Sequence, residues 1–295
     1  MLTKGEYMKV KPGKEAPGNN YILIVFDSCR YDSFVAAKPK NICKLGEVEA
    51  RWSYASWTAP SHYNLLSGLV PHTNPKRVFA SDYYKNDFLK YAERLGIEGV
   101  GFRSLIPKLY FPAFLQESLH YRTHAMVSLP VLNPRTILNH GFDTYRLMEK
   151  HNDMRAMVQE IRLPGDRPSF YLLNVGETHY PYALPDELPE DWPRISGVHG
   201  VFEHLDDKIV GGKLVKGGDK FFNKAKMKML RDRQIKAVKH LDVVVEELFD
   251  LVPRNTYVTV TSDHGELFGE SGFFGHGPIM HRKVFEVPFV EGKLR

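Results

Sequence analysis

The chain has 295 residues, 43% of them hydrophobic and 25% charged, with a formal net charge of +5. That is ordinary globular composition, long enough to bury a large core in one large domain or two small ones. The two cysteines, Cys29 and Cys43, exclude a disulfide scaffold; the absence of like-charge runs and basic–aromatic ladders excludes a nucleic-acid partner; and no apolar stretch approaches the roughly 18 residues of a membrane span.

The mild positive balance suits an anionic small substrate, although such a balance is more often just a solvated surface. Residues 1–19 are polar and lysine-rich and lack the apolar core of a secretory signal, so they read as a flexible leader. The cytoplasm is the default compartment. "YILIVF" (21–26) is a continuous apolar run, as in a strand covered on both faces. Residues 51–71 read as a loop entering a helix at Thr58, with Pro60 in the first turn and Gly68 and Pro71 ending it. A helix is expected over 83–96 and a strand over 97–104. The region 105–165 reads as loops and short helices.

"SFYLLNVGETHYPY" (169–182) is a second buried strand running into a polar loop, and the proline-rich 181–194 must be irregular. Residues 208–220 read as a flexible loop; "GGKLVKGGDK" lacks the GK[ST] of a P-loop, though Lys213 or Lys216 could cover an anion. Apolar residues at helical spacing from 221 to 252 predict one long helix or two shorter ones. "TYVTVTS" (256–262) is a third clear strand, and 284–292 a short fourth. Strands alternating with helices predict an α/β fold with a mostly parallel sheet.

In such sheets ligands bind beyond the carboxyl ends of the strands. After the first strand comes Asp27. After the second come Glu177 and His179. After the third come Asp263 and His264. Aspartates and histidines gathered at one sheet edge are the ligand types a divalent metal uses. Two roles fit Thr58 at its helix start. One is an N-cap. The other is a metal-bound hydroxyl acting as a nucleophile at a helix end that attracts anions.

These residues resemble the sulfatase and alkaline phosphatase superfamily. "IVFDSCRYD", "WTAPSHYNLLSGLVPHT", "HGFDTYR", "THYPYALP" and "TSDHGELFGESGFFGHG…VPFV" occur in that superfamily's order over residues 20–292. The resemblance implies a three-layer α/β/α fold and one catalytic domain over residues 20–295. It implies a metal held by Asp27, Thr58, Asp263 and His264, with Thr58 as nucleophile. His276, in "FGHGP", resembles the histidine that phosphoethanolamine transferases place near the phosphate, and His179 resembles a substrate-side histidine. Both join Thr58 as candidate catalytic residues. Arg30 matches a recurrent family arginine or else merely pairs with Asp32.

The departures direct the chemistry. Sulfatases carry C/S-x-P-S-R and form formylglycine; here the block is "TAPSH", Thr58 cannot be so converted, and His62 replaces the arginine. Histidine as a ligand favours zinc or manganese over calcium. A second metal, or direct substrate binding, would draw on Glu177, His179, His276, Arg30 and His62. Glu266 and Glu270 read as solvated loop carboxylates, and His281 as pocket-lining or surface. The implied activity is metal-dependent phosphoryl transfer to water or alcohol on a small or carrier-linked anionic ester. The alternatives are sulfuryl transfer without formylglycine and a non-catalytic metal-binding relative.

Overall fold

The apolar run at position 21 becomes the central strand, β1 (Asn20–Phe26), buried along its whole length. The computed structural model describes residues 13–68, 90–99, 110–193, 209–210, 213–214, 223–277 and 279–294. Two other continuous apolar runs form β5 (Ser169–Val175) and β8 (Thr256–Ser262), each fully buried. Both pair parallel with β1, one on either side. The remaining strands of this sheet are β2 (Glu49–Trp52), β3 (Arg122–Val127), β4 (Thr144–Leu147) and β11 (Glu286–Lys293). The seven-stranded order is β2-β11-β8-β1-β5-β3-β4. Only β11 runs against its neighbours, antiparallel to both β8 and β2. A mostly parallel sheet was expected and is found.

Side chains of β1 alternate between two cores, as the pleat requires. Ile22, Ile24 and Phe26 face helices α1 (Tyr31–Ala37), α4 (Met154–Glu160) and α5 (Lys224–Leu251). Tyr21, Leu23 and Val25 face α2 (Thr58–Leu66), α3 (Phe111–Leu119) and a helical segment over residues 90–95. Helices therefore cover both faces, giving three layers. The apolar spacing of residues 221–252 produces one helix, α5, whose N-cap Asn223 accepts from the Ala225 N–H.

Three strands of the seven-stranded sheet escaped the sequence reading. β2 carries Glu49 and Arg51, β3 begins Arg-Thr-His, and β4 alternates exposed and half-buried residues. Strands at or beside a sheet edge tolerate such charges, so they lack the apolar run that marks β1, β5 and β8. The last strand starts after a one-turn helix, α6 (Arg282–Phe285). Outside the main sheet, β9 (Leu267–Phe268) pairs antiparallel with β10 (Phe274–Gly275). Within the expected loop 208–220, β6 (Ile209–Val210) and β7 (Lys213–Leu214) pair as a short hairpin; Lys216 lies outside the described residues. So do residues 83–89 of the expected helix, 100–104 of the expected strand, and the first part of the leader. The end of that leader is tied down: the Gly13 and Lys14 N–H groups donate to the Leu251 and Leu163 carbonyls, and Asn19 N–H to the Leu95 carbonyl.

The register sets the site. Phe26 lies level with Val175 on one side and Ser262 on the other. The three central strands thus end together, and the residues that follow them meet at one edge.

Candidate active site

Asp27 leaves β1 while its N–H still donates to the Val175 carbonyl at 2.9 Å. Ser28 then adopts φ 61°, a left-handed conformation uncommon outside glycine. That turn aims the Ser28 N–H at Asp263 Oδ1, 3.0 Å away, and the His264 N–H reaches the same oxygen at 2.8 Å. Asp263 Oδ2, although buried, accepts no hydrogen bond. It lies 3.4 Å from His264 Nε2 and 3.7 Å from His62 Nδ1. Across from it, Asp27 Oδ1 accepts from the Ser28 hydroxyl at 3.1 Å and Oδ2 from Asn174 Nδ2 at 2.9 Å. One ligand atom from each of Asp27, Asp263 and His264 falls within 4.8 Å of the others.

Thr58 is the first residue of α2, and the N-cap is Trp57, which makes no side-chain cap bond. The hydroxyl of Thr58 therefore does not cap its helix. Its Oγ1 points into the carboxylate cluster instead, 3.4 Å from Asp27 Oδ1 and 3.3 Å from His264 Nε2. The loop before it is pinned by the Ser53 hydroxyl on the Asp263 carbonyl and by Ser61 Oγ on the Ala55 carbonyl at 3.1 Å. Gly68, at φ 82°, ends the helix as its sequence suggested.

The histidines share one arrangement. His264 Nδ1 bonds the Gly265 carbonyl at 2.9 Å, His276 Nδ1 the Ser56 carbonyl at 3.1 Å, and His179 Nδ1 the Tyr180 carbonyl at 2.8 Å. A carbonyl only accepts, so each Nδ1 carries the proton and each Nε2 presents a lone pair. The His264 and His276 ring centres are 4.2 Å apart, and those of His179 and His276 are 6.1 Å apart. Burial pushes His264 down to about 4 and is the main cause that takes His276 down to about 2. Both are neutral at physiological pH, the form that binds metals.

A family model described as Sulfatase matches residues 19–290. This chain belongs to the sulfatase family. A search of curated proteins found no match. Among solved structures it is similar to the zinc complex of the C-terminal periplasmic domain of EcEptC from Escherichia coli, at 12% identity and TM-score 0.51, covering 97% of this chain and 75% of that one. It is similar to the soluble domain of lipooligosaccharide phosphoethanolamine transferase A from Neisseria meningitidis, at 13% identity and TM-score 0.50, covering 98% and 80%. It is also similar to the phosphonate monoester hydrolase of Agrobacterium radiobacter, at 14% identity and TM-score 0.51, covering 93% and 68%. At such identities the likeness shows the fold. The resemblance read from the sequence motifs is borne out.

The donor set of this sulfatase-family chain fits a divalent cation. Burial disfavours charge on both carboxylates. At Asp27, burial is outweighed by His179, His264 and His62 and by the Asn174 hydrogen bond, which hold its carboxyl below the usual range. At Asp263, burial and the charge of Asp27 push the carboxyl well above it. Two carboxylates this close in a dry site cannot both ionise without a counter-charge. A cation between them would restore both charges and satisfy the orphaned Asp263 Oδ2.

The other expected residues take different places. His62 donates from Nδ1 to the Thr58 carbonyl at 2.8 Å and meets Asn174 Nδ2 through Nε2 at 3.3 Å, so it braces the start of α2. Glu177 accepts from the Met154 N–H at 2.8 Å at the start of α4, and burial pushes it up to about 7; it is not in the close ligand group. Arg30 is buried and holds Asp32 through two bonds of 2.8 and 2.7 Å and Glu270 through a third of 2.6 Å. Glu270 is thus paired. Glu266 is not solvated but buried at 2% exposure, accepting from the Tyr182 hydroxyl at 2.7 Å. The loop folds back beneath α5, which spacing alone could not reveal. His281 Nδ1 caps α6, accepting from the Lys283 N–H at 3.0 Å.

Two buried polar residues were missed. Asn174 sits near the end of β5 and uses all its capacity: Oδ1 accepts from the Ser128 and Leu129 N–H groups, and Nδ2 serves Asp27 and His62. Its signal was visible, an amide inside the apolar run "SFYLLNV". Gln234 on α5 gave a weaker one, a polar residue on the helix's buried face.

Proposed function

We propose that this chain is a metal-dependent phosphoryl-transfer enzyme that works through a phospho-threonine at Thr58. The observation that carries the reading is the Thr58 hydroxyl, buried between Asp27 Oδ1 and His264 Nε2 at the start of α2. The similar transferase and phosphonate hydrolase structures support phosphoryl chemistry in general. Asp27, Thr58, Asp263 and His264 would hold zinc or manganese. When bound, that metal supplies the charge that lowers the pKa of the Thr58 hydroxyl and neutralises phosphoryl oxygens.

The chain's own residues do the rest. The Thr58 and Ala59 N–H groups precede the first helical bond of α2, from the Ser61 N–H to the Trp57 carbonyl, and are free to meet phosphoryl oxygens. Thr58 Oγ1 attacks phosphorus, and the ester oxygen leaves with a proton. Water or an alcohol then attacks the same phosphorus from the opposite side, and the bond to Thr58 breaks. The departing Thr58 oxygen takes up the acceptor's proton. His276, neutral with the Nε2 lone pair presented, is suited to bind a second cation; His179 stands on the substrate side. Catalysis on this reading is mostly positioning and electrostatics.

The substrate class proposed is a small or carrier-linked anionic ester. Among the described residues no helix is long and apolar enough to cross a membrane. Cytoplasmic placement is part of the proposal, set against the periplasmic origin of the similar Escherichia coli domain. Elemental analysis of the purified protein beside Asp263→Ala is the first test. About one zinc or manganese per chain, lost in the variant, is expected, followed by turnover of phosphate mono- or diesters and a phosphorylated Thr58 on rapid quenching. Calcium, with aryl sulfate preferred, would point to sulfuryl transfer. No metal after reconstitution would leave a non-catalytic relative.

A further inference from the structure

One buried amide, outside every motif in the sequence, ties together the three loops that build the site. Gln234 lies on α5 and is fully buried. Its Nε2 is 3.0 Å from the Ser28 carbonyl, 3.1 Å from the Thr178 carbonyl and 3.0 Å from Glu266 Oε1. These acceptors follow β1, β5 and β8 respectively. Two of them are carbonyls, which only accept, so the amide nitrogen must face them and the side chain has one orientation. Its Oε1 faces back to the Arg30 N–H at 3.4 Å.

Each anchored residue controls a ligand. Ser28, held at φ 61°, turns its N–H to Asp263 Oδ1 and its hydroxyl to Asp27 Oδ1. Thr178 donates its hydroxyl to the Asp27 carbonyl at 2.8 Å and precedes His179. Glu266 follows Asp263 and His264 in the same loop and is gripped also by Tyr182. A left-handed serine persists only where its surroundings over-determine it, and Gln234 supplies the bond to the carbonyl of that residue.

We infer that Gln234 is a positioning residue for the metal centre: through Ser28, Thr178 and Glu266 it sets the separation of the Asp27 and Asp263–His264 ligands. The inference rests on the metal-dependent reading above. It is tested on the full chain, stripped of metal and titrated by calorimetry with zinc chloride or manganese chloride alone. Gln234→Met keeps the length of the side chain but removes its donors. We expect metal affinity to fall by about 10–100-fold, the range for residues that orient ligands, with a smaller metal-induced rise in Tm. Gln234→Glu, isosteric but presenting an acceptor to two carbonyls, should lose affinity likewise and serves if the Met variant does not fold. Val245→Ala, in the core on the same helix, should lower Tm yet bind metal as the wild type does.

Unchanged metal affinity in a folded Gln234→Met or Gln234→Glu overturns the inference. So does an equal loss in Val245→Ala, since destabilisation alone would then account for the effect. Both results leave the phosphoryl-transfer reading intact. A wild type that binds neither metal overturns that reading and the inference with it.

Discussion

Gly265 separates His264 from Glu266, and its substitution by alanine tests how tightly the late loop must be held. A Cβ there would meet the Lys283 carbonyl oxygen at 2.2 Å, Arg30 Cγ at 3.2 Å and the Lys283 carbonyl carbon at 3.3 Å. Carbon–oxygen contacts normally begin near about 3.3 Å, so the two segments must part by about 1 Å. They are joined by the Gly265 N–H to the Val284 carbonyl at 2.7 Å. Opening them by that amount stretches this bond beyond hydrogen-bonding range. Overpacking of this kind costs about 1–3 kcal/mol. Arg30 and Lys283, which share Asp32, oppose the shift, so the strain passes to His264. Its Nε2 is 3.3 Å from Thr58 Oγ1. A misplacement of about 1 Å at a reacting group can cost about 10²-fold in rate. Gly265→Ala should therefore bind zinc more weakly and lose about that factor in kcat/KM, with a Tm a few degrees lower. The assays are zinc calorimetry and turnover of whichever phosphate ester the wild type accepts. Wild-type zinc affinity and kcat/KM in a folded variant would show that this contact does not fix His264.

Three further outcomes follow from the site. Thr58→Ala should abolish turnover, on the order of 10⁴-fold or more as for other covalent nucleophiles, while thermal melts show little change because Thr58 caps nothing; a Thr58→Ala enzyme that keeps its rate would remove the nucleophile from the mechanism. Asn174→Leu strips Asp27 and His62 of a donor and orphans the Leu129 N–H, whereas the Ser128 N–H keeps the Asn174 carbonyl at 3.1 Å, so melts should show about 1–3 kcal/mol lost per unsatisfied group, and calorimetry should show weaker zinc binding. At Asp32, burial raises the carboxyl, but bonds from Arg30 and Lys283 outweigh it and hold the carboxyl well below the usual range. A depressed folded pKa contributes stability that is present above the unfolded value of about 3.9 and lost as pH falls through the folded value. The Tm gap between wild type and Asp32→Asn should accordingly be full at neutral pH and close on acidification below that value. A gap that stays constant into acid would deny the ion pairs any role.

Local side-chain pattern alone marks the three central strands and the residues that leave them. β1, β5 and β8 are continuous apolar runs because each is covered on both faces, and that condition is written locally in the side chains. Parallel pairing then obliges Asp27, Glu177 with His179, and Asp263 with His264 to leave the sheet at the same edge. Thr58 was legible as a helix start, through Pro60 and the stop at Gly68, but its role was not. Tertiary structure decided that the hydroxyl turns to Asp27 and His264 rather than to its own helix. It decided that Arg30 is consumed by Asp32 and Glu270, that Glu177 serves the start of α4, and that Glu266 is buried. It also brought in Asn174 and Gln234. These outcomes rest on partners distant in the chain: a polar residue in a strand or on a helix looks the same in sequence whether it meets water, a carbonyl or a ligand. The edge strands β2 and β4 stayed hidden for the complementary reason, since partial exposure lets them carry charge and erases the pattern that identifies a strand.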